Sequence, residues 1–96
     1  MKIYISGKIS GIEKEAIKIF QASEDYLIES GYQAVNPMKL NDEHDKSWES
    51  YMKVCIKALC DCDRIYMISN WTDSRGAKIE LEIAKHLGIE VIYETR

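Results

Sequence analysis

Four short runs of β-branched and aromatic residues alternate along the chain with three longer segments of helical period, and this alternation leaves few folds open. Residues 2–6 (Lys-Ile-Tyr-Ile-Ser) read as a buried strand broken at Gly7. Over 12–30, Ile12, Ala16, Ile19, Phe20, Ser23 and Leu27 recur at three- and four-residue spacing, which predicts a helix capped by Gly31. Residues 32–35 form a second strand closed by Asn36-Pro37, because proline pushes its predecessor into extended geometry and cannot continue a ladder. A polar loop over 38–46 follows. The stripe Trp48, Met52, Cys55, Leu59 predicts a helix over about 47–60 with Ser47 at its start. Residues 64–69 give a third strand, 70–76 a loop, 77–87 a helix ended by Gly88, and 89–93 a fourth strand.

Strands separated by helices of this length require crossover connections, hence parallel pairing with helices on both sheet faces. The expected fold class is therefore α/β: a three-layer, Rossmann-like or flavodoxin-like parallel sheet of about four strands, order 2-1-3-4, with three helices. Ninety-six residues leave no material for a second core, so 1–96 is expected to be one domain. In open sheets of this kind ligands bind beyond the carboxyl ends of the strands, where the strand order reverses. That point lies between strands 1 and 3, and the loops 6–11, 36 onward and 70–76 lead away from it.

Composition removes several function classes. A net charge of -3 and a pI near 5.4 do not supply the basic stripe that a nucleic-acid polymer needs. No apolar run is long enough for a bilayer and the first residues do not form a secretory leader, so a cytoplasmic protein without membrane partners is expected. Cys55, Cys60 and Cys62 lack metal-site or redox spacing and read as reduced, mostly buried thiols; no metal or cofactor is expected.

Among the residues able to carry chemistry, Glu80 is the most informative. Advancing about 100° per residue, it falls within the arc of Leu81, Ala84, Leu87, Ile79 and Ile83, opposite Lys78, Glu82, Lys85 and His86. A carboxylate on a buried arc requires a partner or a shifted pKa, so Glu80 is either a functional group or half of an ion pair with Arg75 or Lys8. Ser6-Gly7-Lys8-Ile9-Ser10-Gly11 is either a phosphate-cradling turn or an ordinary strand-to-helix turn. Asp73 and Ser74 suit either a helix cap or, for Ser74, a phosphate donor. Trp48 and Trp71 are core residues or a stacking wall for a nucleobase. His44 and His86 have no support as bases or ligands, and Glu82 reads as a surface residue.

Tyr4-Ile-Ser-Gly-Lys-Ile-Ser-Gly11, Cys62-Asp-Arg-Ile-Tyr-Met-Ile68 and Asn70-Trp-Thr-Asp-Ser-Arg-Gly-Ala-Lys-Ile-Glu80, continuing through Ala84 and Gly88, together resemble the nucleoside 2-deoxyribosyltransferase-like superfamily, in its small phage and bacterial branch. The resemblance covers nearly the whole chain, and the Ser/Asp-x-Gly-Ala-x-x-Glu-x-x-x-Ala element is its specific part. It implies that Glu80 attacks C1′ of a deoxyribose and that Lys8, Ser10 and Ser74 contact a 5′-phosphate. Ser6, Gly7, Asn70, Trp71, Asp73 and Gly76 complete the expected substrate site. It further implies a small nucleoside or nucleotide as partner and a homodimer or higher homo-oligomer that completes the pocket.

The sequence departs from that pattern at one position. After Tyr51-Met52-Lys53-Val54 stands Cys55, where relatives carry an aspartate that assists the leaving group, and a thiol is a weaker donor without a fixed charge. Asp45, Glu49 and Asp73 are the candidate replacements. Two functions therefore compete: N-glycosidase or 2-deoxyribosyltransferase activity on deoxynucleoside 5′-monophosphates, and a nucleotide binder or sponge that has lost its catalytic acid. A purely structural domain is the third reading; it requires Glu80 to be exposed or paired with a cation.

Overall fold

The computed structural model describes residues 1–40 and 47–95. Strands β1 (Lys2–Ser6), β2 (Gln33–Val35), β3 (Arg64–Met67) and β4 (Glu90–Tyr93) form one sheet in the order β2-β1-β3-β4. Every pairing is parallel, with Tyr4 opposite Val35 on one side and Ile65 on the other. Helices α1 (Glu13–Glu29), α2 (Trp48–Cys60) and α3 (Arg75–His86) supply the crossovers. The architecture is the expected one.

The two-residue period of β1 divides the core. Ile3 and Ile5 face α1 and pack with Ala16, Phe20, Leu27, Tyr66 and Ile68. Tyr4 faces the other way, into a cluster with Cys55 and Leu59 of α2, Ile65 and Met67 of β3, and Ala77, Leu81 and Ala84 of α3. Being central in the sheet, β1 is covered on both faces, and its last residue, Ser6, is buried as well.

Helix ends follow local chemistry. Ser47 caps α2 by accepting from the Ser50 N–H (3.1 Å). The chain leaves α1 through Gly31, whose φ of +92° is costly for residues with a Cβ. The third helix starts at Arg75 rather than at 77, because Ser74 already accepts from the Ala77 N–H (3.1 Å) and so defines the cap. Leu87, expected on the buried arc, is exposed although its N–H still bonds the Ile83 carbonyl as the C-cap of α3. The segments expected as loops contain short 3₁₀ turns, Pro37–Lys39 and Ser69–Asp73. The part of the expected 38–46 loop spanning 41–46, with His44 and Asp45, lies outside the described residues. All three cysteines are free; Cys55 and Cys62 are buried, but Cys60 sits at the outer end of α2, exposed. No helix among the described residues is long and apolar enough to cross a membrane.

Gly7 is fixed by space rather than by backbone angle. A Cβ there would stand 2.9 Å from both Cβ and Cδ1 of the buried Ile68 and 3.1 Å from Asn70 Oδ1. Two of these atoms belong to a core side chain that cannot swing away. Gly7→Ala is expected to lower stability by about 1–3 kcal/mol, the usual cost of overpacking. Urea unfolding checks this; an unchanged midpoint would show that the β1 exit tolerates a side chain.

Candidate active site

The carboxyl end of β1 and the turn after it, the first half of α2 and the start of α3 enclose a cavity of about 310 Å³, at the lower end of the range of small-molecule sites. Its walls come from three stretches. From β1 and the turn after it come Tyr4, Ser6, Gly7, Lys8 and Ser10; from α2 come Trp48, Glu49, Tyr51, Met52 and Cys55; and Asp73, Ser74, Arg75, Gly76 and Glu80 close the third side. This is where the strand order reverses.

Glu80 lies on the inner wall with 5% of its surface exposed. The Tyr4 hydroxyl donates to Oε2 and the Ser6 hydroxyl to Oε1, both at 2.7 Å. Tyr4 and Ser6 are two residues apart on a strand, so both project from the same sheet face, and α3 carries its carboxylate across them. No cation among the described residues lies within ion-pair distance of Glu80, so the expected alternative pairing with Arg75 or Lys8 is not what holds it. Burial pushes the Glu80 carboxyl up from 4.5 to about 7, and the two hydroxyl bonds, by favouring the ionised form, pull the other way. The group therefore titrates near neutrality.

The described groups that bond this carboxylate are uncharged hydroxyls. The Cys55 thiol is pushed up to about 11, first by burial; the nearby Tyr4 and Tyr51 hydroxyls pull it down and the Glu80 charge raises it. Tyr4 is raised well above the ordinary tyrosine value by burial and by the Glu80 charge beside it. Tyr51 is raised mainly by burial and donates to the Pro37 carbonyl at 3.2 Å, which ties α2 to the turn after β2. Cys55, standing where an acid was expected, is thus a protonated thiol on the cavity wall.

Most residues singled out from the sequence meet here: Glu80, Ser6, Gly7, Lys8, Ser10, Asp73, Ser74, Gly76 and Cys55 all line the one cavity. Asn70 and Trp71 do not line it. The Asn70 side chain accepts the Lys8 backbone N–H (3.0 Å) and so braces the turn after β1 from behind. Trp71 turns away to meet Tyr93, with ring centres 6.0 Å apart, and packs on the core. Ser74 caps α3 while lining the cavity, so its two expected roles are compatible. Trp48 lines the cavity with the Arg75 guanidinium 4.3 Å from its ring centre. His86 lies 3.9 Å from Glu82 on the exposed face of α3.

Tyr4, Tyr51 and Arg75 were not anticipated as part of the site. The signal for Tyr4 was present: a hydroxyl-bearing aromatic two residues before Ser6, on the strand nearest the reversal of order. Arg75 reads from the sequence only as a partner for Glu80.

Over residues 1–93 the sequence matches a family described as a domain of unknown function, DUF4406. The chain belongs to this family. No curated protein matches it in sequence. Among solved structures, the DUF4406 chain is similar to the 2-deoxyribosyltransferase of Bacillus psychrosaccharolyticus, with TM-score 0.73 and 23% identity over 97% of this chain and 71% of that one. It is also similar to the CMP N-glycosidase BcmB of Clostridium botulinum, with TM-score 0.67 and 18% identity over 97% of this chain and 67% of that one. The nucleoside 2-deoxyribosyltransferase-like fold read from the sequence is the fold of the domain.

The raised Glu80 value has a consequence for stability with a definite sign. Between about 4.5 and about 7 the folded protein keeps the Glu80 proton and the unfolded chain gives it up. This contribution is therefore complete below the lower value and is lost as pH rises to the upper one, on the order of 3 kcal/mol in all. Glu80→Gln removes the titration, so the variant should gain on the wild type as pH rises from 5 to 8. Urea unfolding across that range checks it, and parallel pH profiles of the two proteins would contradict it.

Proposed function

We propose that this DUF4406 domain cleaves or transfers the N-glycosidic bond of a deoxynucleoside 5′-monophosphate, with Glu80 as nucleophile. The observation that carries the reading is a carboxylate on the cavity wall, desolvated, clamped by two hydroxyls and unneutralised by any described cation. A fold that needed Glu80 only for packing would do better with an apolar residue, because burying the charge costs several kcal/mol. The fold likeness to a 2-deoxyribosyltransferase and a CMP N-glycosidase supports the same class of chemistry.

In the reaction the ionised Glu80 oxygen attacks C1′ while the C1′–N bond breaks. The bonding electrons leave with the base, which takes a proton from solvent. The resulting glycosyl ester is resolved at C1′ by water, which loses its proton to solvent, or by a second base; Glu80 is released in either case. Tyr4 and Ser6 orient the carboxylate and favour its ionised form, offsetting part of the burial cost. A second copy of the chain walls the open side of the cavity, since one chain this short encloses little of a nucleotide.

Nucleotide binding without turnover is favoured by one specific feature, the Cys55 thiol. At about 11 it carries no charge at neutral pH and is a poor proton donor to a departing base. Assaying the protein with a panel of deoxynucleoside monophosphates and following free base separates the readings. Turnover is expected, with a rate that rises with pH through about 7 as Glu80 ionises. Glu80→Gln should lower it by about 10³-fold or more. A nucleotide that raises the melting temperature with no base released would favour the binder; full activity in Glu80→Gln would remove the mechanism.

A further inference from the structure

Arg75 is a charge that the fold does not use. It is exposed, no carboxylate among the described residues lies within ion-pair distance of it, and it nevertheless lines the cavity. Its guanidinium lies 4.3 Å from the ring centre of Trp48, within cation–π range. Such a stack fixes the plane of the guanidinium and leaves its N–H edge free to donate. Trp48 opens α2 and Arg75 opens α3, so the pair bridges the two helix starts across the cavity wall.

Charge balance in the cavity gives this arrangement a purpose. Among the described residues the lining carries three carboxyl groups, Glu49, Asp73 and Glu80, and two cations, Lys8 and Arg75. A dianionic phosphate entering that field needs a cation held in place, and a guanidinium meets phosphate oxygens through paired, charge-assisted hydrogen bonds.

We propose that Arg75, oriented by its stack on Trp48, is the residue by which the cavity selects a 5′-phosphorylated nucleoside over the unphosphorylated one. This rests on the reading of the cavity as a nucleotide site. It assigns the selection to a side chain that neither the sequence resemblance nor the cap at Ser74 identifies.

The test is the affinity of the wild type, Arg75→Gln, Arg75→Lys and Trp48→Leu for a deoxynucleoside 5′-monophosphate and for the matching deoxynucleoside, measured by calorimetry, with circular dichroism confirming that each variant is folded. The wild type should prefer the monophosphate. Arg75→Gln should lose about 10- to 100-fold in affinity for the monophosphate and little for the nucleoside. Arg75→Lys should recover part of that loss, since it restores charge without the paired donors. Trp48→Leu should shift the preference in the same direction as Arg75→Gln, because the guanidinium loses its support. If the wild type prefers the monophosphate and Arg75→Gln keeps that preference, or loses both ligands equally, the assignment to Arg75 is wrong while the nucleotide reading stands. If the wild type binds neither ligand, the nucleotide reading fails and this inference with it.

Discussion

Glu80 is the one charged residue buried among the described residues, and the arrangement around it answers the cost of that burial. Two hydroxyls from one strand offset part of it, one to each oxygen, but do not cancel it, and the carboxyl ends near neutrality instead of at its ordinary acidity. A cation would have lowered the pKa further; neutral donors hold the carboxylate without neutralising its charge, which suits the nucleophile proposed for it.

That placement requires a particular sheet. Tyr4 and Ser6 reach the same carboxylate only because β1 is extended and central, with α1 on one face and α2 and α3 on the other. The same strand sends Ile3 and Ile5 into the opposite core, so anchoring the fold and building the site are interleaved residue by residue. Gly7 then lets the chain pass against Ile68, and Asn70 holds the turn by the Lys8 N–H. The cavity is thus built from strand ends and helix starts, elements whose backbone hydrogen bonding leaves little freedom, and rigid support of this kind is what a positioned nucleophile needs.

Much of this was legible in the sequence because periodicity carries it. The alternation of short apolar runs with helical stripes yields the parallel sheet and its order; Ser47 and Ser74 mark their helix starts; and the angular position of Glu80 among Leu81 and Ala84 foretells its burial. What was missed depends on contacts between distant segments. Tyr4 sits in an apolar run and reads as core until α3 brings a carboxylate to its hydroxyl, 76 positions away in sequence. Arg75 reads as an ion-pair partner until its guanidinium is seen against Trp48 of another helix. Trp71 shows the converse: its place in a loop at the ligand-binding edge suggested contact with a substrate, yet its ring packs back toward β4. Leu87 shows that a place on the buried arc does not ensure burial at the end of a helix.

The proposed chemistry depends on the protonation of one side chain, and that can be observed directly. Carboxyl-carbon NMR on glutamate-labelled protein, with Glu80 assigned by the Glu80→Gln variant, follows its titration from pH 4 to 9. A midpoint near 7 is predicted, as burial outweighs the two hydroxyl bonds. A midpoint at the ordinary 4.5 would mean that water or a cation reaches the carboxylate, and would contradict the desolvated nucleophile on which the account is built.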